Sequence, residues 1–299
     1  MNREELLTKW GAETPVLDHG HVRLIDVMGN DAAVVQAARV SYGAGTKTVR
    51  EDRDLIRYLV RQRHTSPLEM IEIKLHVKLP IFVERQWVRH RMASINEVSG
   101  RYSELPEEFY VPEVDQVCYQ SSDNKQGRSG ALPLEQANHI RSNMKAMGSD
   151  EFKHYRFVLE QGVARETARI NLPLSTYTEK YWKIDGHNLL HFLSLRADGH
   201  AQTEIQKYAE AILKILEDWV PIVHEAFLDY RKYAQTFSRA EMRVLHEVIQ
   251  DWLDYRREGA IAEGDLNPDD TARLGLLHLI GDSMSKREVR EFVEKLGIS

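Results

Sequence analysis

The stretch Gln86 to Tyr102 reads QWVRHRMASINEVSGRY and sets Arg89, His90 and Arg91 side by side, with seven intervening residues before Ser99 and then Arg101. Paired guanidiniums hold a phosphate bidentately, and Ser99 with the amides around Gly100 can approach the same anion closely. This composition suits a grip on a phosphorylated ligand. Upstream, Pro80 suits a first helical turn, so a helix is predicted from Ile81 to Arg91. On it Phe82, Arg85, Gln86 and Arg89 share one side, and Trp87, His90 and Arg91 another, so one helix end would address two ligands. Two plainer accounts compete. The cations also complement the negative end of a helix dipole, and Ser94 with Glu97 has the spacing of a capping box. For a single cation the dipole account would win; for this cluster with its downstream serine and arginine the ligand account does.

The rest of the chain bounds what such a site can belong to. With 299 residues, 42% hydrophobic and 29% charged, the chain can bury a substantial core. A net charge of −6 argues against a general nucleic-acid binder, so any anion site must be local. Cys118 is the sole cysteine, which excludes an internal disulfide and suits a reducing compartment. The start, MNREELLTKW, lacks the apolar core of a signal peptide, and no apolar run is long enough to span a bilayer. A cytoplasmic protein with no membrane partner is expected.

Period-two alternation marks strands at Val22 to Met28 and Ile71 to Leu79, with helical patterns between them at Asp31 to Val40 and Asp52 to Arg63. Val114 to Gly130 is polar and reads as a surface loop or lid, followed by a long helix from about Leu134 to Gln161. Leu172 to Trp182 reads as a strand; His187 to Asp198 and Thr203 to Glu217 read as helices. The expected class is α+β with a mixed or antiparallel sheet. Beyond Gln235 the character changes: Ser238-x-x-Glu241 and Ser285-x-x-Glu288 are capping boxes, Asn267-Pro268 is a cap with a first-turn proline, and Gly259, Gly281 and Gly297 sit as helix stops. Residues 1–235 are thus expected as the main domain and 236–299 as an appended set of three short helices.

Several other residues invite chemistry. On the helix from His187, Arg196 ends an apolar stripe with Leu189 and Leu193, and a buried guanidinium must find an anionic partner or ligand. The competing account is an ion pair with Asp198 or Asp185. His187-x-x-x-His191, with His200, has zinc-ligand spacing, but Asn188 stands where a zincin carries its glutamate, so metal binding ranks low. Ser99 lacks a nucleophile elbow and an oriented acid. Cys118 lies in a polar stretch without cationic neighbours and reads as an incidental thiol. The glycines in Gly43 to Thr48 match neither a dinucleotide fingerprint nor a P-loop, and a turn is expected there.

Arg89-His90-Arg91 with Ser99 resembles the R-H-R-x7-S signature of the flavin-dependent thymidylate synthases. Further pieces fall in that family's order: Val22 to Ser41, then His64, Ser66, Pro67 and Glu69, then Ala164 to Pro173 around Arg169, then LRADGHAQ from Leu195 to Gln202. Separated motifs in one order are much harder to obtain by chance than one short pattern. The resemblance implies a fold that is not Rossmann, and FAD shared among subunits of a homotetramer. It implies reductive methylation of dUMP to dTMP, with methylenetetrahydrofolate as carbon donor and NADPH as reductant, without a protein nucleophile. By the same resemblance, dUMP would be held by Gln86, Trp87, Val88, Arg89, Glu97, Val98, Ser99, Gly100, Arg101, Arg169 and Arg196. FAD would be held by Ser66, Arg89, His90, Arg91, Glu97, Asp185, Gly186, His187 and His191. Arg196 is implied as the catalytic group, favouring the N3-ionised uracil ring by electrostatic stabilisation. Compact members carry asparagine, arginine and asparagine where this chain has Asp185, His187 and His191. Two rivals from other classes remain: a metal-dependent hydrolase of a phosphorylated nucleoside built on His187, His191 and His200, and a non-catalytic nucleotide or RNA binder, which the acidic charge disfavours.

Overall fold

Alternation from Ile71 to Leu79 turns Ile73, Leu75, Val77 and Leu79 to one face, where all are fully buried, and Lys74, His76 and Lys78 to the other. This is the middle strand of a five-stranded sheet in the computed structural model, which describes residues 1–40, 49–122, 125–262 and residue 292. In chain order the first elements are α1 (Arg3–Trp10), β1 (Thr14–Val16), β2 (Gly20–Met28), α2 (Asp31–Arg39), α3 (Val49–Arg61), β3 (Glu72–Pro80), α4 (Ile81–Trp87) and β4 (Ser94–Glu97). They are followed by β5 (Cys118–Gln120), β6 (Arg128–Ala131), α5 (Leu134–Glu160), α6 (Arg165–Ala168), β7 (Tyr177–Asp185), α7 (Gly186–Arg196), α8 (Thr203–Trp219) and α9 (Pro221–Phe227). The sheet runs β1-β2-β3-β7-β4, every pairing antiparallel, so it is not mixed. β5 and β6 form a separate hairpin.

The buried face of the sheet packs on α8, whose Ile205, Tyr208, Ile212, Ile215 and Leu216 follow helical spacing into one core with α7 and α4. Opposite strands place Ile73 beside Ile184 and Leu75 beside Trp182. Trp182 then meets Trp87 and Phe192, with ring centroids 5.1 Å apart in each case, so β7, α4 and α7 converge on one aromatic cluster. Two close approaches fix the β7–α7 junction. Asp185 caps α7 by accepting the Asn188 amide at 2.9 Å, and the Gly186 N–H donates to the Ile71 carbonyl at 2.8 Å. A Cβ on Gly186 would come within 2.7 Å of the Leu68 carbonyl oxygen, so the residue must be glycine.

Several expectations are corrected. α4 stops at Trp87 because the indole is buried among Trp182 and Phe192, and the chain turns with the His90 N–H on the Trp87 carbonyl at 3.0 Å. Arg89, His90 and Arg91 therefore lie in a turn, not on opposite helix faces. Ser94 to Glu97 is an edge strand paired with β7, not a capping box. The polar stretch 114–130 includes the β5–β6 hairpin, and the strand read as Leu172 to Trp182 runs from Tyr177 to Asp185. Gly43 to Thr48 lies outside the described residues.

The chain divides into two compact units, Met1–Ala234 and Gln235–Ser299. In the second, α10 (Arg239–Ala262) is a single helix that continues through Gly259, so that glycine is not a stop. Its start is the expected capping box: the Ser238 N–H donates to Glu241 Oε2 at 2.6 Å and the Glu241 N–H to Ser238 Oγ at 3.2 Å. The signals at Asn267, Gly281, Ser285 and Gly297 lie outside the described residues. No helix among the described residues is long and apolar enough to cross a membrane.

Candidate functional site

A cleft of about 500 Å³ opens between the turn after α4 and one side of α7. Arg89, His90, Arg91, Asn188, His191 and Arg196 give it polar walls; Met92, Ile184 and Leu195 give it apolar ones. Arg196 sits at the last position of α7 and reaches back across it. Its Nε donates to His90 Nε2 at 3.0 Å and its Nη2 to the Gln86 carbonyl at 3.1 Å. Burial pushes the His90 imidazole down to about 4, helped by the nearby Arg196, His191 and Lys180, so the ring is a neutral acceptor at physiological pH. Burial also lowers the Arg196 guanidinium from its ordinary value.

That arrangement leaves the Arg196 charge without a counter-ion. The ion pair with Asp198 or Asp185 does not form: Asp198 accepts from the His200 ring at 2.8 Å, and both Asp185 oxygens are taken by Asn188, at 2.9 and 2.7 Å. Among the described residues no carboxylate pairs with Arg89, Arg91, Arg169 or Arg196. A half-buried guanidinium held only by a neutral ring and a main-chain carbonyl is poised for an external anion.

Close enough to His90 to act on its charge, Lys180 is fully buried, paired with Glu84 and 4.2 Å above the Trp87 ring. Burial pushes the ammonium down to about 8 and the Glu84 carboxyl up, each despite the partner's attraction. Glu84 Oε1 and the indole nitrogens of Trp87 and Trp182 are buried with no partner among the described residues. The pair and the aromatic cluster brace the last turn of α4, from which the cationic turn departs. Trp87 itself is wholly buried and does not line the cleft, so its expected place as a ligand contact is corrected to that of a support beneath the cationic turn.

The remaining predicted residues fall in two other places. Ser99 to Arg101 meets Arg169: a Cβ on buried Gly100 would approach Arg169 Cδ to 3.0 Å, so glycine lets the arginine stem lie across the loop. Ser99 Oγ accepts the Arg101 N–H at 3.3 Å, and the Arg101 guanidinium pairs with exposed Glu166 at 3.0 Å, a contact of small energetic weight. Glu97 accepts from Thr178 Oγ1 at 2.6 Å, and half-exposed Val98 pairs its N–H with the Glu179 carbonyl. Ser66 lines a third feature, a groove of about 770 Å³, with His64, Tyr58, Leu55 and Met70. No described residue lines both this groove and the Arg196 cleft. His187 is half-buried near the start of α7, Val88 half-buried in the turn, and His191 exposed with its ring 5.7 Å from His90.

Sequence reasoning missed Asn188, Met92 and Leu195 as lining residues, and Lys180 as a support. Lys180 carried a usable signal: it falls in phase with Trp182 and Ile184 on the strand, which marks it as inward-facing. Asn188 carried one too, three residues after a capping aspartate.

Comparison with known proteins joins these observations. A family model described as thymidylate synthase complementing protein matches residues 23–222. A flavin-dependent thymidylate synthase of Gluconobacter oxydans is 58% identical over 233 residues, 77% of each chain. One from Wolbachia pipientis is 51% identical over 251 residues, 84% of this chain and 88% of its own. Among solved structures, a UMP/dUMP methylase, PolB from Streptomyces cacaoi, bound with 5-Br dUMP, superposes with a TM-score of 0.68 at 33% identity, over 74% of this chain and all of that one. With the family model and these relatives spanning most of its length, and the arginine-lined cleft lying inside the matched region, the chain belongs to the thymidylate synthase complementing protein family, the flavin-dependent thymidylate synthases.

Proposed function

We propose that the first unit, Met1–Ala234, catalyses the reductive methylation of dUMP to dTMP, and that the uracil ring meets FAD in the cleft between Arg89 and Arg196. One observation carries this reading: Arg196 is half-buried and is held by neutral His90 and the Gln86 carbonyl, with its charge free to act on a ligand. The solved methylase with a brominated dUMP supports the substrate class, and the names of the relatives support the flavin.

The residues present fit FAD. Arg89 and Arg91 have no carboxylate partner among the described residues and suit its diphosphate; Asn188 and His191 offer hydrogen bonds to a ring or ribose, and Met92 and Leu195 offer apolar cover. Ser66, Glu97, Asp185, Gly186 and His187 complete the set carried by the family resemblance. Bound there, FAD supplies the hydride chemistry, with methylenetetrahydrofolate as carbon source and NADPH as reductant. The protein's part is positioning and charge. Ser99, Arg101 and Arg169 hold the nucleotide phosphate, with Gln86 to Arg89, Val98 and Gly100 shaping its surroundings. Arg196 stabilises negative charge on the uracil ring. His90, kept neutral by burial, orients Arg196 without cancelling that charge. Cys118, whose thiol donates to the Asp115 carbonyl at 3.5 Å, takes no part.

No described residue lines both the Arg196 cleft and the Ser66 groove, which supports an assembly whose subunits complete one another's sites, and the family resemblance implies that this assembly is a homotetramer. The single cysteine suits a reducing compartment, and we place the enzyme in the cytoplasm. The test is to purify the protein, record its visible spectrum, and follow release of tritium from C5-labelled dUMP with NADPH and methylenetetrahydrofolate. A flavin spectrum with release dependent on both is expected. Chelator-sensitive hydrolysis without flavin absorbance would replace this reading with the metal-hydrolase one.

A further inference from the structure

The LRADGHAQ segment supplies Arg196, but its closing residue, Gln202, has no part in the proposed reaction. Its side chain nevertheless makes a specific contact: Gln202 Oε1 accepts from Gln86 Nε2 at 2.5 Å, across 116 residues of chain. Gln86 is therefore held at two points from one segment, its carbonyl by Arg196 Nη2 at 3.1 Å and its side-chain amide by Gln202. The loop that joins the two is braced. Gln206 Nε2 donates to the Asp198 carbonyl at 2.6 Å and the Ala201 carbonyl at 2.8 Å; the Ala201 N–H returns to Asp198 at 3.1 Å, and the Gln206 N–H to Gln202 at 3.1 Å. Lys232 Nζ adds a bond to the Ala197 carbonyl at 2.7 Å. These ties restrain the loop that joins Arg196 to Gln202.

We propose that Gln202 is a positioning residue for substrate binding: by accepting the Gln86 amide N–H, it directs the carbonyl oxygen of that amide to receive a hydrogen bond from an N–H or O–H of the nucleotide. The chemistry follows from the amide itself. With one of its N–H groups donated to Gln202, rotation about the last side-chain bond is restrained, and the amide oxygen is left as an acceptor for the ligand. Without Gln202 the amide loses that restraint, and more of its ordering becomes a cost of binding. This inference rests on the reading that Gln86 and Arg196 address dUMP.

The experiment compares the intact enzyme with Gln202→Met, Gln86→Met and the double variant, measuring KM and kcat for dUMP, flavin absorbance and melting temperature. Gln202→Met is expected to raise KM for dUMP roughly tenfold with kcat changed less than about threefold, and to leave flavin absorbance and melting unchanged. Because Gln202 acts through Gln86, the double variant should have the KM of Gln86→Met alone. An unaltered KM in Gln202→Met, effects that multiply in the double variant, or a kcat that falls together with flavin content would each overturn the proposal while leaving the main reading intact. Absence of dUMP turnover in the unsubstituted enzyme would instead overturn that main reading.

Discussion

Replacing His90 with glutamine separates the hydrogen bond to Arg196 from the proton that would destroy it. The imidazole is 8% exposed, accepts the Arg196 Nε–H at 3.0 Å, and is pushed from 6.5 down to about 4 by burial and by Arg196, His191 and Lys180. Between those two values the folded state binds fewer protons than the unfolded chain. Stability therefore rises with pH across that window and is lost as pH falls from about 6.5 toward about 4. Integrated from pH 7 to pH 5, the loss from this single group is about 2 kcal/mol. Glutamine keeps an acceptor oxygen for Arg196 and does not titrate. Urea unfolding of both proteins at the two pH values is the assay, and carboxylates common to both cancel in the difference. The unsubstituted protein should lose about 2 kcal/mol more than His90→Gln over that interval. Equal losses would refute the assignment of His90 as a buried neutral acceptor.

Three further outcomes are expected. Arg196→Ala should lower tritium release from labelled dUMP by at least about a hundredfold while the yellow cofactor stays bound, since the charge acts on the reacting ring; undiminished turnover would remove its assigned role. Lys180→Met should cost about 3–5 kcal/mol in denaturant unfolding by stranding buried Glu84, whereas Lys180→Leu with Glu84→Leu should recover most of that loss; a single variant as stable as the parent would show that the pair is dispensable. Gly186→Ala should destabilise by about 1–3 kcal/mol, because its methyl would sit 2.7 Å from the Leu68 carbonyl and from Ile71 Cγ1. A calorimetric melt at the parent temperature would contradict that packing.

Much of the molecule could be read along the chain. The cationic signature pointed to the family, strands such as Val22 to Met28 and Ile71 to Leu79 announced themselves by alternation, and α5, α8 and the Ser238–Glu241 cap followed from helical spacing and cap chemistry. These features depend on residues within a turn or two of each other, where backbone geometry alone decides which side chains share a face. The site depended on more. Ser94 to Glu97 satisfies the capping-box spacing as written, and only the free edge of β7 makes it a strand. The helix after Pro80 could have continued through Arg91; burial of Trp87 against Trp182 and Phe192 ends it and frees the cations. Arg196 meets His90 across 106 residues, and Lys180 meets Glu84 across 96. No local rule chooses between those partners and the nearby Asp185 and Asp198, because the choice rests on which groups the whole core removes from water. The primary structure thus determined the strand and helix periods and the presence of an anion-gripping cluster, while tertiary packing decided which guanidinium stays unneutralised, since desolvation is a property of the assembled fold.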